Sequence, residues 1–258
     1  MENNRFPSPD CIGARFQLVQ DRIRAACERS GRNPEHVQLI AVSKTKPLSA
    51  VQEAWEAGAR CFGENYVQEL TQKQANLLQI SPSQAADMEW HMIGHLQRNK
   101  VRSLIGAVAM IHSVDTVSLA AQIEKEAAKQ ESTMNILLEV NIAEEPSKWG
   151  FSAADVFSAA EAVSHMSHLR LRGLMTSAPL TQDPETNRPY FRRLNLLAQA
   201  LFTRGLILPG ENGFPVLSMG MSGDFEVAIE EGATMVRVGS SIFGERTYAP
   251  DRGHDPSV

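Results

Sequence analysis

The chain has 258 residues, of which 43% are hydrophobic and 21% are charged, and its formal net charge is −5 at pH 7. This length and composition suit a soluble globular protein with one α/β barrel or two small domains. The negative charge argues against non-specific binding to nucleic acid, and no stretch approaches the about 20 apolar residues that cross a membrane.

Hydrophobic periodicity predicts strands and helices that alternate along the chain. A helix at 15–30 comes first, and Gly31 is placed to end it. Eight apolar runs then predict strands at 37–42, 59–62, 88–93, 107–111, 134–140, 169–171, 216–218 and 234–238. The intervening stretches predict helices at 47–58, 64–78, 97–104, 116–130, 153–166, 190–202 and 224–231, and loops at 81–86, 141–150, 181–189 and 209–215.

Regular alternation of strand and helix implies right-handed parallel crossovers, and eight such units predict a closed (β/α)₈ barrel. The barrel takes up residues 1–258 as one domain, with frayed tails at about 1–10 and 248–258. An open doubly wound sheet is the alternative. The barrel is favoured because no dinucleotide-binding glycine motif follows the first strand, and because AWEAGA (54–59) recurs as AIEEGA (228–233).

The first strand ends in two lysines, within LIAVSKTKP at 39–47. The carboxyl ends of the strands form the active-site face of a barrel, and a lysine among apolar neighbours becomes a nucleophilic amine that can form a Schiff base. Lys44 and Lys46 are two residues apart, so an extended chain would point both the same way. This spacing does not choose between them, and two solvated lysines remain the simpler alternative.

The last two strands end in small residues, in SMGMSG (218–223) and GSS (239–241). Small residues at a helix start leave N–H groups free to bind phosphate, and barrels often bind phosphate after strands seven and eight. Asp224 and Glu226 disfavour an anion at the first segment, which makes Gly239 and Ser240 the better site. Ordinary N-capping by Ser222 and Ser240 is the alternative.

Two further features concern charged or metal-binding side chains. Arg237 in the last strand needs an acceptor, either a ring nitrogen of a ligand or a carboxylate on a neighbouring strand. His91 and His95 have the spacing of metal ligands on a helix, but Gly94 interrupts them, His91 lies in a predicted strand and no third ligand is evident. No metal site is therefore expected.

Five segments resemble the pyridoxal phosphate homeostasis protein family, which is itself similar to the barrel domain of alanine racemase. They are IAVSKTKP (40–47), FGENYVQE (62–69), WHMIGHLQRNK (90–100), LSMGMS (217–222) and VRVGSSIFG (236–244). The match runs from about residue 12 to 246. It implies a fold type III barrel, with an extra N-terminal helix and no added β-domain, that binds pyridoxal 5′-phosphate.

The resemblance assigns a role to each site residue. Lys44 forms the internal aldimine, Arg237 contacts the pyridine nitrogen and leaves the ring a weaker electron sink, and Lys46 and Lys148 are secondary lysines. The full set of implied cofactor-binding residues is Lys44, Asn65, Ser218, Met221, Ser222, Arg237, Gly239 and Ser240. Trp149 and Ser177 depart from the commoner family residues at the rim, and no catalytic residue is assigned.

The expected function is intracellular homeostasis of vitamin B6: the protein holds pyridoxal 5′-phosphate and releases or transfers it, with apo-enzymes that require the cofactor as partners. A fold type III amino-acid racemase or decarboxylase is the alternative, but such enzymes use an acid–base group from an added β-domain, for which only about a dozen residues remain. An aldolase using Lys44 alone would need neither phosphate loops nor Arg237. We expect a cytoplasmic protein, because three scattered cysteines and the absence of a signal peptide indicate reduced thiols. We expect a monomer, because the added β-domain is missing, and neither nucleic-acid nor membrane partners.

Overall fold

The computed structural model describes residues 11–210 and 212–244 and contains a closed barrel of eight parallel strands in sequence order. The strands are β1 (Gln38–Val42), β2 (Cys61–Glu64), β3 (Glu89–Met92), β4 (Met110–Val114), β5 (Met134–Glu139), β6 (Leu169–Met175), β7 (Val216–Ser218) and β8 (Met235–Val238). Pairing of β8 with β1 closes the sheet. The predicted (β/α)₈ barrel is confirmed, and the predicted frayed tails lie outside the described residues.

Helices surround the barrel. They are α1 (Ile12–Arg29), α2 (Leu48–Glu56), α3 (Val67–Ile80), α4 (Pro82–Asp87), α5 (Val117–Lys129), α6 (Val156–Ser164), α7 (Arg188–Thr203), α8 (Phe225–Glu230) and α9 (Ser240–Phe243). The extra N-terminal helix α1 packs against α8 and α9, and Gly31 at a φ of 66° follows its end, as predicted. None of the helices in these described segments is long and apolar enough to cross a membrane.

Two of the segments that differ from the sequence prediction lie between β2 and β4. The stretch at 81–86, predicted as a loop, forms α4, because Pro82 suits the first turn of a helix and three residues with good helical propensity follow it. The helix predicted at 97–104 is a 3₁₀ helix, Arg98–Ser103.

The barrel interior has an apolar half and a polar half. Because successive side chains of a strand point to opposite faces, each strand places alternate residues inside. The apolar cluster contains Met110, Leu137, Met175 and Val216, with Met235 packed against it. The polar residues are His91, His112, Ser218 and Arg237, all buried.

Gly173 allows β6 and β7 to approach closely beside this interior. A Cβ at this position would lie 1.8 Å from the backbone oxygen of Val216. Since no side chain can occupy that space, only glycine lets the two strands pair here and close the barrel.

Candidate functional site

The Lys44 turn, residues 43–46, lies directly after β1 at the carboxyl mouth of the barrel. Ser43 is fully buried, Lys44 is half-buried, and the Lys46 N–H donates to the Ser43 carbonyl at 3.0 Å. Thr45 has a φ of 63°, so the chain turns at this point. The predicted extended conformation, with both lysines pointing the same way, is therefore wrong.

Lys46 fastens this turn to the helix that follows the last strand. Its Nζ donates to the carbonyl oxygens of Phe243 at 3.0 Å and Gly244 at 3.2 Å, at the carboxyl end of α9. A lysine at that position also interacts favourably with the negative end of a helix. Lys46 therefore has a structural role in holding the turn, which spacing alone could not indicate.

A buried ion-pair network supports the turn from below. Lys73 Nζ donates to the Ser43 carbonyl at 2.8 Å and lies 2.7 Å from a carboxylate oxygen of both Glu64 and Glu69. Glu64 also accepts from Ser43 Oγ at 2.7 Å, and Glu69 accepts from the Thr45 N–H at 2.6 Å. Every member therefore helps to fix the backbone that carries Lys44.

Sequence analysis missed Lys73, although a signal was present. Lys73 lies on the buried face of α3 between Leu70 and Leu77, at the spacing of an apolar stripe. A lysine on such a face must find a carboxylate partner. Burial raises the pKa of Glu64, and the opposing charge of Lys73 offsets part of that rise.

A second polar chain runs through the middle of the barrel and ends at Arg237. The Arg237 guanidinium donates to Ser218 Oγ at 2.8 Å and to the Thr176 carbonyl at 2.8 Å. Ser218 Oγ is 2.9 Å from His112 Nδ1, and His112 Nε2 is 2.9 Å from His91 Nδ1. A longer contact of 3.4 Å goes to Ser177 Oγ, so the acceptors of Arg237 are two hydroxyls and a carbonyl, where the sequence analysis expected a ring nitrogen or a carboxylate.

Burial sets the protonation states of the side chains in this hydrogen-bonded row. It lowers the pKa of Arg237 to about 10, with the carboxylates of Glu139 and Asp224 acting in the opposite direction, so the guanidinium stays charged at neutral pH. Burial also holds the pKa of His112 well below its ordinary value, aided by the charges of His91 and Arg237. His112 is consequently neutral in the folded protein.

Glu139 is a titratable group that the sequence analysis did not identify. It ends β5, and burial together with the charge of Asp115 raises the pKa of its carboxyl to about 7, while Arg237 acts to lower it. A carboxyl with a strongly raised pKa at the mouth of a barrel is a common feature of a functional site.

The segments after β7 and β8 form one cluster of hydrogen-bond donors. Ser222 Oγ accepts from the N–H groups of Gly239 at 3.3 Å and Ser241 at 3.4 Å. Neither Ser222 nor Ser240 caps a helix, because the N-cap residues of α8 and α9 are Asp224 and Gly239. The N-capping alternative is therefore not what the structure contains, and the two predicted phosphate segments lie against each other.

The two acids that were expected to repel an anion are engaged elsewhere. Asp224 accepts from the Met221 N–H at 2.7 Å and from the Asn187 side-chain amide at 2.8 Å. Glu226 faces α1, where it forms ion pairs with Arg22 and Arg29. The charge of Glu226 is thus neutralised by arginines, whereas the Asp224 carboxylate is held by neutral donors.

The remaining predicted residues lie around the mouth. Asn65 follows β2 and is half-buried, and its backbone is in close contact with Gly94. Lys148, on the loop after β5, is 2.6 Å from a Glu145 carboxylate oxygen and donates to the Ser177 carbonyl at 3.2 Å. Met221 is half-buried on the loop after β7.

His91 and His95 do not form a pair. His91 lies inside the barrel, whereas His95 is at the rim, stacked on Trp149 with 4.2 Å between ring centroids and 3.0 Å from Asp115. The argument against a metal site made from these two histidines is consistent with this placement.

Comparison with known proteins gives a consistent set of similarities. Residues 17–247 match the family model for the N-terminal domain of alanine racemase. Pyridoxal phosphate homeostasis proteins from Aquifex aeolicus and Pseudomonas aeruginosa are each 42% identical; the matches cover 91% and 92% of this chain and 98% and 96% of theirs. The solved structure of PipY from Synechococcus elongatus with pyridoxal phosphate bound superposes with a TM-score of 0.73 at 35% identity, covering 88% of this chain and 100% of that one.

Proposed function

This chain belongs to the pyridoxal phosphate homeostasis protein family, and we propose that it binds pyridoxal 5′-phosphate covalently through Lys44 and serves to hold, release or transfer that cofactor. The relative from Synechococcus elongatus has been solved with pyridoxal phosphate bound. The arrangement of this chain's own residues supports the same ligand.

One observation carries the proposal: Arg237 lies on β8, and the donor cluster and the Lys44 turn follow the neighbouring strands β7, β8 and β1. Ile40 pairs with Arg237 in the barrel, and a Cβ at Gly239 would lie 3.2 Å from the Val42 carbonyl oxygen. An amine, a set of phosphate donors and a buried cation therefore meet at one part of the mouth.

The chemistry of these groups fits the ligand. The N–H groups of Gly239 and Ser241 make only long hydrogen bonds to Ser222 Oγ, so they can turn to a phosphate, to which the hydroxyl can also donate. When bound, pyridoxal phosphate supplies an aldehyde that condenses reversibly with a primary amine, and Lys44 supplies that amine. Arg237 keeps its own proton at neutral pH, so it would donate to a ring nitrogen placed beside it and leave that nitrogen unprotonated.

We propose a binding function in preference to amino-acid turnover. The compared relatives are named homeostasis proteins, and an unprotonated pyridine nitrogen makes a poor electron sink. Lys46 and Lys148 then supply two further primary amines near the mouth, and each donates a hydrogen bond to a backbone carbonyl. Apo-enzymes that require the cofactor are the proposed recipients, and the proposed working form is a cytoplasmic monomer.

The test is covalent capture. The purified protein is incubated with pyridoxal 5′-phosphate, reduced with borohydride, digested and examined by mass spectrometry. We expect the adduct on Lys44, its loss in Lys44→Ala, and its retention in the control Lys46→Ala. An adduct that stays at full yield in Lys44→Ala would refute the assignment. Exchange of the α-hydrogen of amino acids at about 1 s⁻¹ or faster would instead favour the racemase.

A further inference from the structure

Three potential metal ligands lie together at the end of the barrel opposite Lys44. Cys61 and Glu89 begin the neighbouring strands β2 and β3 and pair in register, and His91 follows two residues later on the same face as Glu89. One ligand atom from each lies within 4.8 Å of the other two. Individual separations are 3.2 Å between Glu89 Oε1 and His91 Nε2 and 3.8 Å between Cys61 Sγ and Glu89 Oε2.

His91 Nε2 faces the carboxylate of Glu89, another of the three candidate ligands, at 3.2 Å. The imidazole is completely buried, and its other nitrogen is held by His112 Nε2 at 2.9 Å. Despite the nearby Glu89 carboxylate, Nε2 makes no hydrogen bond of acceptable geometry within the residues that the structure describes. Buried polar atoms rarely remain without a partner, and a cation in front of this nitrogen would supply one.

We propose that Cys61, Glu89 and His91 bind a divalent transition-metal ion of the zinc type. Zinc accepts thiolate, imidazole and carboxylate ligands, and its tetrahedral sites separate neighbouring ligand atoms by about 3.3–3.8 Å. Two of the separations already lie near this range. On binding, the Cys61 S–H bond breaks, its proton passes to water and a metal–sulfur bond forms, so thiolate and carboxylate together balance the charge of the ion.

The surroundings support the three ligands. Hydrogen bonding by His112 fixes the orientation of the His91 ring, and the Gln38 side-chain amide donates to Cys61 Sγ. Outer contacts of this kind are typical of metal sites. Glu89 also lines a cavity of about 690 Å³ at this end of the barrel, which leaves room for water or a small ligand at the fourth position. The sequence analysis expected no metal site because it considered His91 only with His95.

Cobalt(II) tests the site, because a thiolate ligand gives it a charge-transfer absorption band. The reduced full chain in phosphate-free buffer should bind one equivalent of Co²⁺ with that band, and Zn²⁺ should displace it. Cys61→Ser and His91→Gln should each weaken Co²⁺ binding more than about tenfold. Cys27→Ser, which removes a buried thiol of α1, is the matched control and should bind normally. Lys44→Ala should also bind normally, so the result does not depend on the proposed cofactor site.

A band absent from the wild type at about 1 mM Co²⁺, or retained in Cys61→Ser, would overturn the proposal. A second measurement needs no variant at these positions, in case one fails to fold. Zn²⁺ should slow alkylation of Cys61 in the wild type, measured by peptide mass spectrometry, and leave the alkylation rate of Cys27 unchanged. Equal rates at Cys61 with and without Zn²⁺ would contradict the site.

Discussion

Arg237 and Ser218 are joined by a hydrogen bond of 2.8 Å inside the barrel, and the same hydroxyl is 2.9 Å from His112. Ser218 therefore connects a charged guanidinium to a neutral imidazole, and all three residues are buried. The hydroxyl fixes the direction in which Arg237 presents its remaining donors.

Replacing Ser218 by alanine should destabilise the protein and weaken its binding of pyridoxal 5′-phosphate. The substitution leaves a buried N–H donor of Arg237 and the buried Nδ1 of His112 without a partner, which typically costs about 1–3 kcal/mol. The measurements are the free energy of unfolding in urea and the dissociation constant of the cofactor. Ser158→Ala removes an exposed hydroxyl of α6 and should leave both unchanged. A Ser218→Ala protein with wild-type values of both would show that this hydroxyl is dispensable.

Glu139 should make the stability of the protein fall as the pH rises from about 4.5 to 7. Its carboxyl has a pKa of about 7 in the folded chain against 4.5 ordinarily, so the folded state binds more protons in this window. The stabilisation is complete below pH 4.5 and lost above 7. It amounts to about 1–3 kcal/mol, reduced by solvent screening because the residue is only partly buried.

Unfolding free energies of the wild type and Glu139→Gln across this pH range provide the measurement. The difference in unfolding free energy between the wild type and Glu139→Gln should change by about 1–3 kcal/mol across this range. Glu161→Gln, at an exposed glutamate of α6, should show the same pH dependence as the wild type. His112 acts with the opposite sign, because its low pKa in the folded state makes acid favour the unfolded chain. The contribution of His112 is the same in both proteins, so it cancels when their unfolding free energies are subtracted. Parallel curves for wild type and Glu139→Gln would contradict the raised pKa.

Much of the fold is readable from the sequence because strands of a parallel barrel are covered by helices on one face and by packed side chains on the other. All eight predicted strands therefore overlap the observed ones, although β2 begins two residues later than predicted and β6, predicted at 169–171, extends to Met175. The strand β4 is instructive: it was predicted at 107–111 but spans Met110–Val114. His112 and Ser113 are polar and read as the start of a loop, yet they belong to the strand and are buried.

The candidate site was less accessible to sequence reasoning than the fold. The position of Lys44 follows from the end of a strand, but the turn depends on a threonine at positive φ, which the letters KTKP do not indicate. Contacts between distant residues, such as Lys73 with Ser43 or His91 with His112, depend on how the strands are staggered around the barrel. Periodicity along one strand contains no information about that stagger.

Removing the charge of Lys73 should destabilise the protein far more than removing an exposed ion pair. Lys73→Ala leaves the carboxylates of Glu64 and Glu69 beneath the turn without their cation, and breaking a buried pair in this way costs about 3–5 kcal/mol. Lys129→Ala removes a lysine whose side chain is 56% exposed, against 8% for Lys73, and its partner Glu126 keeps a hydrogen bond from Gln122, so this variant should cost no more than about 1 kcal/mol. Urea unfolding measures both.

Two further measurements separate the effect of the Lys73 charge on stability from its effect on the position of Lys44. The double variant Lys73→Met, Glu64→Gln should recover part of the lost stability, because one unpaired carboxylate is removed. Lys73→Ala and the double variant should both form the covalent adduct on Lys44 more slowly than the wild type, because in both the Ser43 carbonyl has lost the donor Lys73. If Lys73→Ala is as stable as Lys129→Ala, the ion pairs of Lys73 do not contribute the stability expected of a buried network.

Ser222 should distinguish pyridoxal 5′-phosphate from pyridoxal, which has the aldehyde but no phosphate. Its hydroxyl lies among the N–H groups of Gly239 and Ser241, where it can donate to a phosphate oxygen. A hydrogen bond to a charged group contributes about 1.5–3 kcal/mol, so Ser222→Ala should weaken binding of the phosphorylated form about 10- to 100-fold. Binding of pyridoxal should change little, and Ser49→Ala, at an exposed serine of α2, should alter neither. Titration of both aldehydes by absorbance gives the ratio of affinities, and an equal loss for the two would place the phosphate elsewhere.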